Sequence, residues 1–308
     1  MKKQYRVRNW TEYNQGLKQR GSLTFWFSEE VLSNWLLNDK TGKRGASPYF
    51  SDQAITTFMM VQSLFQLPGR QAQGFLESLF CLLKIDLPVP DHSTVSRRGG
   101  KLEIVIPLSQ KNQPRHVVID STGIKVYGEG EWKTRVHGVG KRRTWRKLHL
   151  AVDENSGEIL LAEVTTNDYH DSEILPGLLK GIKGEIEQVS ADGAYDKRKC
   201  YQAIEDRKAV ATIPPQKNAH PWEDLDGQRN KNIDRIEEIG RKQWKEESGY
   251  HRRSISETTM FRLKRAFGGK LSSRDFNNQA VELFIQCMLL NRMIQVAKPD
   301  SYIVNELL

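Results

Sequence analysis

The chain has 308 residues, with 47 Lys and Arg against 38 Asp and Glu, a formal net charge of +9, and 38% hydrophobic residues. This length allows one large domain or two modest ones, and the longest apolar run, Phe284 to Leu290, is too short to span a bilayer, which excludes a helical membrane protein. The cysteines form no C-x-x-C pair and no apolar segment follows the basic start, so we expect a cytoplasmic protein without a zinc finger or a secretory signal.

The positive charge is concentrated in two stretches of the sequence. Residues 125–150 and 241–270 each carry a net charge of +6, which leaves the rest of the chain at −3. A basic surface favours an anionic partner, with nucleic acid as the first candidate. For either stretch alone, a solvated charged face is the alternative interpretation.

The first third of the chain has apolar residues at helical spacing. Serine caps and this spacing predict helices over 28–37, 51–65 and 70–83. A Pro-Val-Pro break then precedes a short polar helix that carries Arg97 and Arg98. We predict that residues 1–114 form an all-helical DNA-binding region.

Within this region, the segment 70–98 has the outline of a helix-turn-helix DNA reader. In that interpretation Ser93 to Arg98 is the recognition element, and Arg97 and Arg98 contact DNA. The alternative is an ordinary surface helix in a helical bundle.

From about residue 115, apolar and polar residues alternate as they do in strands. The alternation predicts an antiparallel meander of strands at 116–127, 146–153 and 159–166. Further strands at 187–191 and 209–213 alternate with helices at 171–182 and 197–207, and the closing helices are predicted at 254–267 and 278–297. This order predicts an α/β domain over 115–297, with a mixed sheet flanked by helices, and a C-terminal tail over 298–308.

Three acidic residues stand out by their surroundings. Asp120 ends the apolar run of its predicted strand, Asp192 ends another strand, and both have Gly, Ala or Ser beside them, which leaves room for an ion or a phosphate near the backbone. Glu257 lies on a predicted helix, two turns before Lys264 on the same face and one turn after Arg253. A turn or helix-cap role is the alternative for the aspartates, and a capping box is the alternative for Glu257.

These acids lie within motifs that resemble those of DDE transposases of bacterial insertion sequences. The signature Y-x2-R-x3-E-x6-K of the related families four and five is matched by Tyr250, Arg253, Glu257 and Lys264. The motifs around the family's two aspartates are matched by Ile119-Asp120-Ser121-Thr122 and Ala191-Asp192-Gly193-Ala194-Tyr195. The resemblance covers about Val117 to Asn291 and is closest to family five. Only about 64 residues separate Asp192 from Glu257, which leaves room for short helices rather than a long β insertion.

The resemblance implies a fold, an activity and a set of site residues. The fold is a ribonuclease-H-like sheet, with Asp120, Asp192 and Glu257 as catalytic metal ligands and with Tyr250, Arg253 and Lys264 near the DNA end. The activity is that of a transposase, which binds the terminal inverted repeats of its element, cleaves the ends and joins the 3'-hydroxyl to target DNA. Because such an enzyme processes both ends of its element, the resemblance implies a homodimer on double-stranded DNA. It also implies association with the bacterial nucleoid.

Phosphodiester chemistry also explains why three carboxylates suffice. Two divalent ions activate the nucleophile and neutralise the leaving oxygen, and Mg²⁺, with Mn²⁺ as a substitute, prefers oxygen ligands. Two alternatives stay open at this stage. One is a metal-dependent nuclease of the same fold that only hydrolyses DNA, and the other is a catalytically inactive DNA-binding relative.

Further DNA contacts are suggested by less specific patterns. Lys147 and His149 alternate onto one face of a predicted strand and are candidates, with a satisfied sheet histidine as the alternative for His149. Four tryptophans are candidates to stack on an unpaired base at a cleaved end: Trp132, Trp145, Trp222 and Trp244.

Overall fold

The computed structural model describes residues 4–37, 47–109, 113–126, 145–223 and 227–304. Most of the first basic stretch, residues 127–144, and Trp132 within it lie outside these described residues. In the described part of the chain, no helix is both long and apolar enough to cross a membrane.

The N-terminal region is mostly helical, as predicted, but it begins with a strand. Its elements are β1 (Gln4–Val7), α1 (Trp10–Gln19), α2 (Leu23–Trp26), α3 (Glu29–Ser33), α4 (Asp52–Phe65), α5 (Gly69–Leu83) and α6 (His92–Gly99). Strand β1 pairs antiparallel with β8 (Ser301–Val304), which lies in the predicted tail. The prediction of an all-helical region is therefore wrong for β1, because a four-residue strand whose partner lies at the other end of the chain leaves little local signal.

The helix-turn-helix outline is only partly reproduced. Both helices form at nearly the predicted bounds, and Asp91 caps α6 by accepting a hydrogen bond from the Ser93 amide. The connection over 84–91 is longer than the turn of three or four residues in that motif.

The second part of the chain forms a mixed sheet that helices cover on both faces. Its elements are β2 (Arg115–Val126), β3 (Trp145–Asp153), β4 (Ile159–Thr166), α7 (Asp171–Gly181), β5 (Ile186–Ser190), α8 (Arg198–Asp206), β6 (Val210–Thr212), α9 (Gln228–Ile239), α10 (Arg241–Glu247), α11 (Ser254–Phe267), β7 (Lys270–Leu271) and α12 (Phe276–Val296). The sheet order is β4-β3-β2-β5-β6, with β7 paired to the end of β2. The first three strands are antiparallel, and β5 and β6 run parallel to β2. This arrangement confirms the predicted α/β class, with a mixed sheet flanked by helices.

The two faces of the sheet bury different sets of apolar side chains. On one face, Ile124, Leu148 and Leu150 pack in one core with α11, α12 and the N-terminal helices. On the other face, Val117 and Ile119 pack against α7 and α8. Because side chains alternate along a strand, every polar residue of β2 and β3 is assigned to one of these faces by its position alone.

The segment between Asp192 and Glu257 holds helices, as the short spacing predicts. Two of them, α9 and α10, follow the short strand β6. Their positions are not predicted by the hydrophobic pattern, because both are strongly polar and bury few residues, among them Ile233 and Trp244.

Candidate active site

The central strands bring Asp120 and Asp192 to the same end of the sheet. Strands β2 and β5 are parallel neighbours, and Val118 is in register with Ser190. Asp120 lies two residues beyond Val118, and Asp192 lies two residues beyond Ser190, so the two aspartates are at corresponding positions along the neighbouring strands. Asp192 follows the end of β5 and its Oδ1 accepts a hydrogen bond from the Ala194 amide at 2.9 Å, so it also caps the 3₁₀ turn over Gly193–Tyr195.

The third acid is on helix α11, which packs on the same face as the Asp120 side chain. Asp120 pairs across the ladder with Leu150, whose side chain belongs to the core beneath α11. Helix α11 buries Ser256, Met260 and Leu263 and leaves 63% of the Glu257 side chain exposed. The helix follows a 3₁₀ turn over Tyr250–Arg253, so Arg253 lies one turn before Glu257.

Arg253 joins the acids into one cluster. Its Nη1 donates to Asp120 Oδ2 at 2.7 Å, and its Nη2 donates to Glu257 Oε1 at 2.9 Å. Only 19% of its side chain and 15% of the Asp120 side chain are exposed, so the Asp120 pair is partly shielded from solvent. Burial alone would lower the pKa of Arg253. The pKa is nevertheless raised above its usual value by the charges of four neighbours: Tyr250, Asp120, Glu257 and Asp192.

The charges of Asp120 and Asp192 repel each other. The pKa of Asp192 is raised, first by burial and then by the negative charge of Asp120, while the Ala194 amide and Arg253 act in the opposite direction. The negative charge of two neighbouring carboxylates favours a bound cation.

Two models of known protein families match the chain. Both are described as Transposase DDE domain, and they match residues 18–129 and 111–292. The second match covers more than half of the chain. The protein belongs to the DDE transposase family. It is therefore an enzyme of DNA transposition, whose family catalyses DNA cleavage and strand transfer with divalent metal ions.

One solved structure is similar to the transposase over most of its length. It is the cryo-EM structure of the piggyBac transposase synaptic complex with hairpin DNA, which aligns with 96% of this chain and 77% of its own, at 12% sequence identity and a TM-score of 0.46.

The transposase has an oxygen donor set at this site. Asp120, Asp192 and Glu257 offer only carboxylate oxygens, which are the ligands that Mg²⁺ prefers. In the described part of the chain, no group of three His, Cys, Asp or Glu side chains is already close enough to hold one ion. The guanidinium of Arg253 lies between Asp120 and Glu257 and donates a hydrogen bond to one carboxylate oxygen of each.

Tyr250 of the transposase lies beside this cluster, and Lys264 lies further along α11. The Tyr250 ring contacts the guanidinium of Arg253 at 5.8 Å and the ammonium of Lys245 at 5.1 Å, and burial raises the pKa of its hydroxyl. Lys264 is half-buried and lies two turns, or about 10 Å, beyond Glu257 on the same face of α11. Its stem lies against the Gly268-Gly269 turn, where a Cβ added to Gly269 would meet the Lys264 side chain at 3.5 Å.

Two residues near the acids escaped the sequence analysis. Ser256 is fully buried, and its Oγ lies 3.1 Å from Asp120 Oδ2 and 2.9 Å from the Arg253 carbonyl. Asp171 begins α7, where the sequence indicates only a helix start, yet its charge raises the pKa values of Asp192 and Tyr195. The only signal for Ser256 is a polar residue within the apolar stripe of α11.

The prediction that His149 contacts DNA is wrong. His149 and Lys147 alternate with Leu148 and Leu150, so they lie on the α7 face, opposite to Asp120. His149 is completely buried, its Nε2 is 2.9 Å from Thr165 Oγ1, and burial lowers its pKa to about 4. Lys147 donates to the Tyr169 carbonyl at 2.8 Å and to Asp171 at 3.1 Å, so its ammonium group is engaged on that face.

The two arginines of α6 have different surroundings. Arg98 is held in the structure by the Phe50 carbonyl and by an ion pair with Asp52. Arg97 is exposed, and its hydrogen bonds to described residues go to the hydroxyls of Ser93 and Thr94, at 3.3 and 3.4 Å. Of the pair, Arg97 has the side chain that is available to a phosphate.

The three described candidates for base stacking are packed against neighbours. Trp244 is buried, the Trp222 ring lies under Arg229 at 4.2 Å, and Trp145 packs on Lys125 at 5.7 Å. No contact in the structure singles out one of them for a flipped base.

Proposed function

We propose that this transposase binds the terminal inverted repeats of its own insertion sequence, cleaves phosphodiester bonds at the element ends and joins the freed 3'-hydroxyl to target DNA. The main support is the Arg253 cluster, in which two acids 137 positions apart in sequence share one guanidinium. Membership of the DDE transposase family supports the same reaction class.

In this proposal Asp120, Asp192 and Glu257 hold two Mg²⁺ ions, which Mn²⁺ can replace. When bound, the ions supply an activated nucleophile and charge relief at the leaving oxygen. In this arrangement the sheet positions Asp120 and Asp192, and helix α11 positions Glu257 beside them. Ser256 holds the carboxylate of Asp120 in place.

Arg253 has two successive roles in this proposal. Before DNA arrives it neutralises Asp120 and Glu257, which limits the repulsion among the acids. When the acids hold metal ions, its guanidinium binds a phosphate near the cleaved end, since a fork of N–H donors suits carboxylates and phosphates equally. Tyr250 and Lys264 contact the same DNA end.

The N-terminal helices read the terminal repeats, with Arg97 at the DNA. Two element ends must be processed together, so the active assembly is a homodimer on double-stranded DNA. The exposed cations of residues 241–270 neutralise the phosphates beside the acids, which makes binding salt-dependent.

The test mixes the protein with paired element-end DNA, supercoiled plasmid and Mg²⁺, and follows cleavage and strand-transfer products. Asp120→Asn, Asp192→Asn and Glu257→Gln should each abolish both products and leave end binding nearly unchanged, because each removes a metal ligand and keeps the shape. Asp168→Asn, at an exposed acid outside the cluster, is the matched control and should behave as wild type.

Three results would contradict the proposal in different ways. Full activity of any of the three variants would remove that residue from the metal ligands. Cleavage without joined products would favour the hydrolytic nuclease. End binding without any cleavage by the wild-type protein would favour an inactive relative.

A further inference from the structure

A pocket of about 460 Å³ lies between the N-terminal helices and the last two helices of the catalytic part. Its apolar floor comes from α11 and α12 and includes Ala266, Leu290 and Met293. Arg20, which follows α1, forms one wall. The pocket is separate from the acid cluster, and the sequence motifs do not point to it.

The charged side chains that line the pocket are all positive. Arg20, Arg262, Arg265 and Lys298 line it, and its lining contains no Asp or Glu. Burial lowers the pKa of Arg20, and the positive charge of Arg262 lowers it further, against the effect of Tyr13. Within the described residues, the side chains of Arg262 and Arg265 form no hydrogen bond or ion pair. Like charges held together in this way favour an anion.

Arg20 is held rigidly in place. Its Nε donates to the Met293 carbonyl at 3.1 Å, its Nη2 donates to the Ala297 carbonyl, and its guanidinium lies 5.9 Å from the Tyr13 ring. A guanidinium has five N–H donors, so donors remain beyond those that contact Met293, Ala297 and Tyr13. The cation is therefore preorganised at the C-terminal end of α12.

Helix α11 connects this pocket to the active site. At 100° per residue, the path around the helix from Glu257 to Arg262 covers about 140° and passes Phe261 and then Arg265. Phe261 is 62% exposed, although it is a large apolar side chain, and Arg265 is exposed as well. The outer surface of α11 thus presents an aromatic ring and cations, with no acid beyond Glu257.

The dimensions match a strand of DNA. A helix with its side chains is about 10–12 Å wide, so the path around the surface of α11 from Glu257 to Arg262 is roughly 15 Å long. A DNA strand advances about 3.4 Å per nucleotide, so about four nucleotides cover that path. A base can stack on an exposed aromatic ring while the backbone follows the cations.

We propose that this pocket is a second DNA-binding site, which holds backbone phosphates of the strand that continues from the acid cluster across Phe261. The inference rests on the proposed function, because it assumes that the acid cluster acts on DNA. It assigns Arg262 and Arg265 to phosphate contacts and Phe261 to a stacking contact.

The test measures the binding of a fluorescent 30-base-pair duplex by anisotropy between 50 and 200 mM salt, without divalent ions, so that no cleavage occurs. Arg262→Ala and Arg265→Ala should each lower the slope of log affinity against log salt by about 0.9, and the double variant by about twice that. Arg262→Lys should keep the wild-type slope because it keeps the charge. Lys180→Ala, at an exposed lysine of α7 on the other face of the sheet, is the control and should leave the slope unchanged.

Each outcome of this measurement supports or overturns the assignment of the pocket as a DNA-binding site. A wild-type slope in a folded double variant overturns the pocket, and an equal loss in Lys180→Ala overturns it in favour of diffuse charge. If the double variant does not fold, the exposed Arg265→Ala alone carries the measurement. Absence of DNA binding by the wild-type protein overturns the proposed function too, whereas a wild-type slope with intact strand transfer overturns only the pocket.

Discussion

The two faces of the β2–β3 ladder carry polar residues that are only a few positions apart in sequence, yet these residues have different surroundings. On the α11 face, Asp120 meets Arg253 and Ser256 at the rim of the sheet. On the α7 face, His149 is buried and Lys147 is paired with Asp171. The difference shows that strand parity, rather than closeness in sequence to a catalytic residue, decides which polar side chains join a site.

The largest expected effect separates the two faces by activity. Asp120→Asn should lower strand transfer by at least about 10³-fold, because a metal ligand supplies several kcal/mol of transition-state stabilisation. Lys147→Met, on the opposite face, should lower it by less than tenfold. Quantified product formation on gels measures both, and equal losses would remove the distinction between the faces.

A second prediction concerns Arg253, whose guanidinium lies between the acids on the α11 face. Arg253→Met should lower the free energy of unfolding by about 1–3 kcal/mol, because Asp120 loses a charged hydrogen-bond partner. In this variant the rise in melting temperature on adding Mg²⁺ should exceed that of wild type, since the ion no longer displaces Arg253. Thermal melts with Mg²⁺ and after EDTA treatment measure both effects, with Arg252→Met as the control.

A third prediction follows from the raised pKa of Asp192, which burial causes first. Between its usual pKa and its raised pKa, the folded protein binds more protons than the unfolded chain, so this group makes stability fall as the pH rises. Asp192→Asn imitates the protonated form and should raise the melting temperature by about 2 °C at pH 8, with a smaller gain in acid. Melts of both proteins at several pH values check it, and a gain that grows toward acid would contradict it.

The smallest effect is expected on the α7 face. Burial lowers the pKa of His149 to about 4, so the unfolded chain binds a proton between about pH 6.5 and 4 that the folded protein does not. This group therefore makes stability fall as the pH decreases through that range. His149→Gln should weaken this acid sensitivity and leave the salt dependence of DNA binding at the wild-type slope. A changed slope would return His149 to the DNA surface.

Local patterns predicted most elements well. Helix α11 has the predicted bounds, and α5, α7 and α8 differ from them by one or two residues, because caps and apolar spacing are encoded within each segment. The helices α1, α2, α9 and α10 and the strands β1, β7 and β8 were not predicted, and α3 ends at Ser33 rather than at residue 37. Those strands are two to four residues long and form only by pairing with distant segments.

The sequence by itself determined the α/β class, most of the longer elements and the family to which the enzyme belongs, and it pointed to the three acids with their Tyr, Arg and Lys companions. Only the tertiary structure decided that Arg253 bridges Asp120 and Glu257, that His149 is buried, and that Arg20 meets Arg262 around a pocket. The physical reason is that caps and periodicity act over a few residues. Ion pairs, burial and pockets depend on contacts between segments that lie up to hundreds of positions apart.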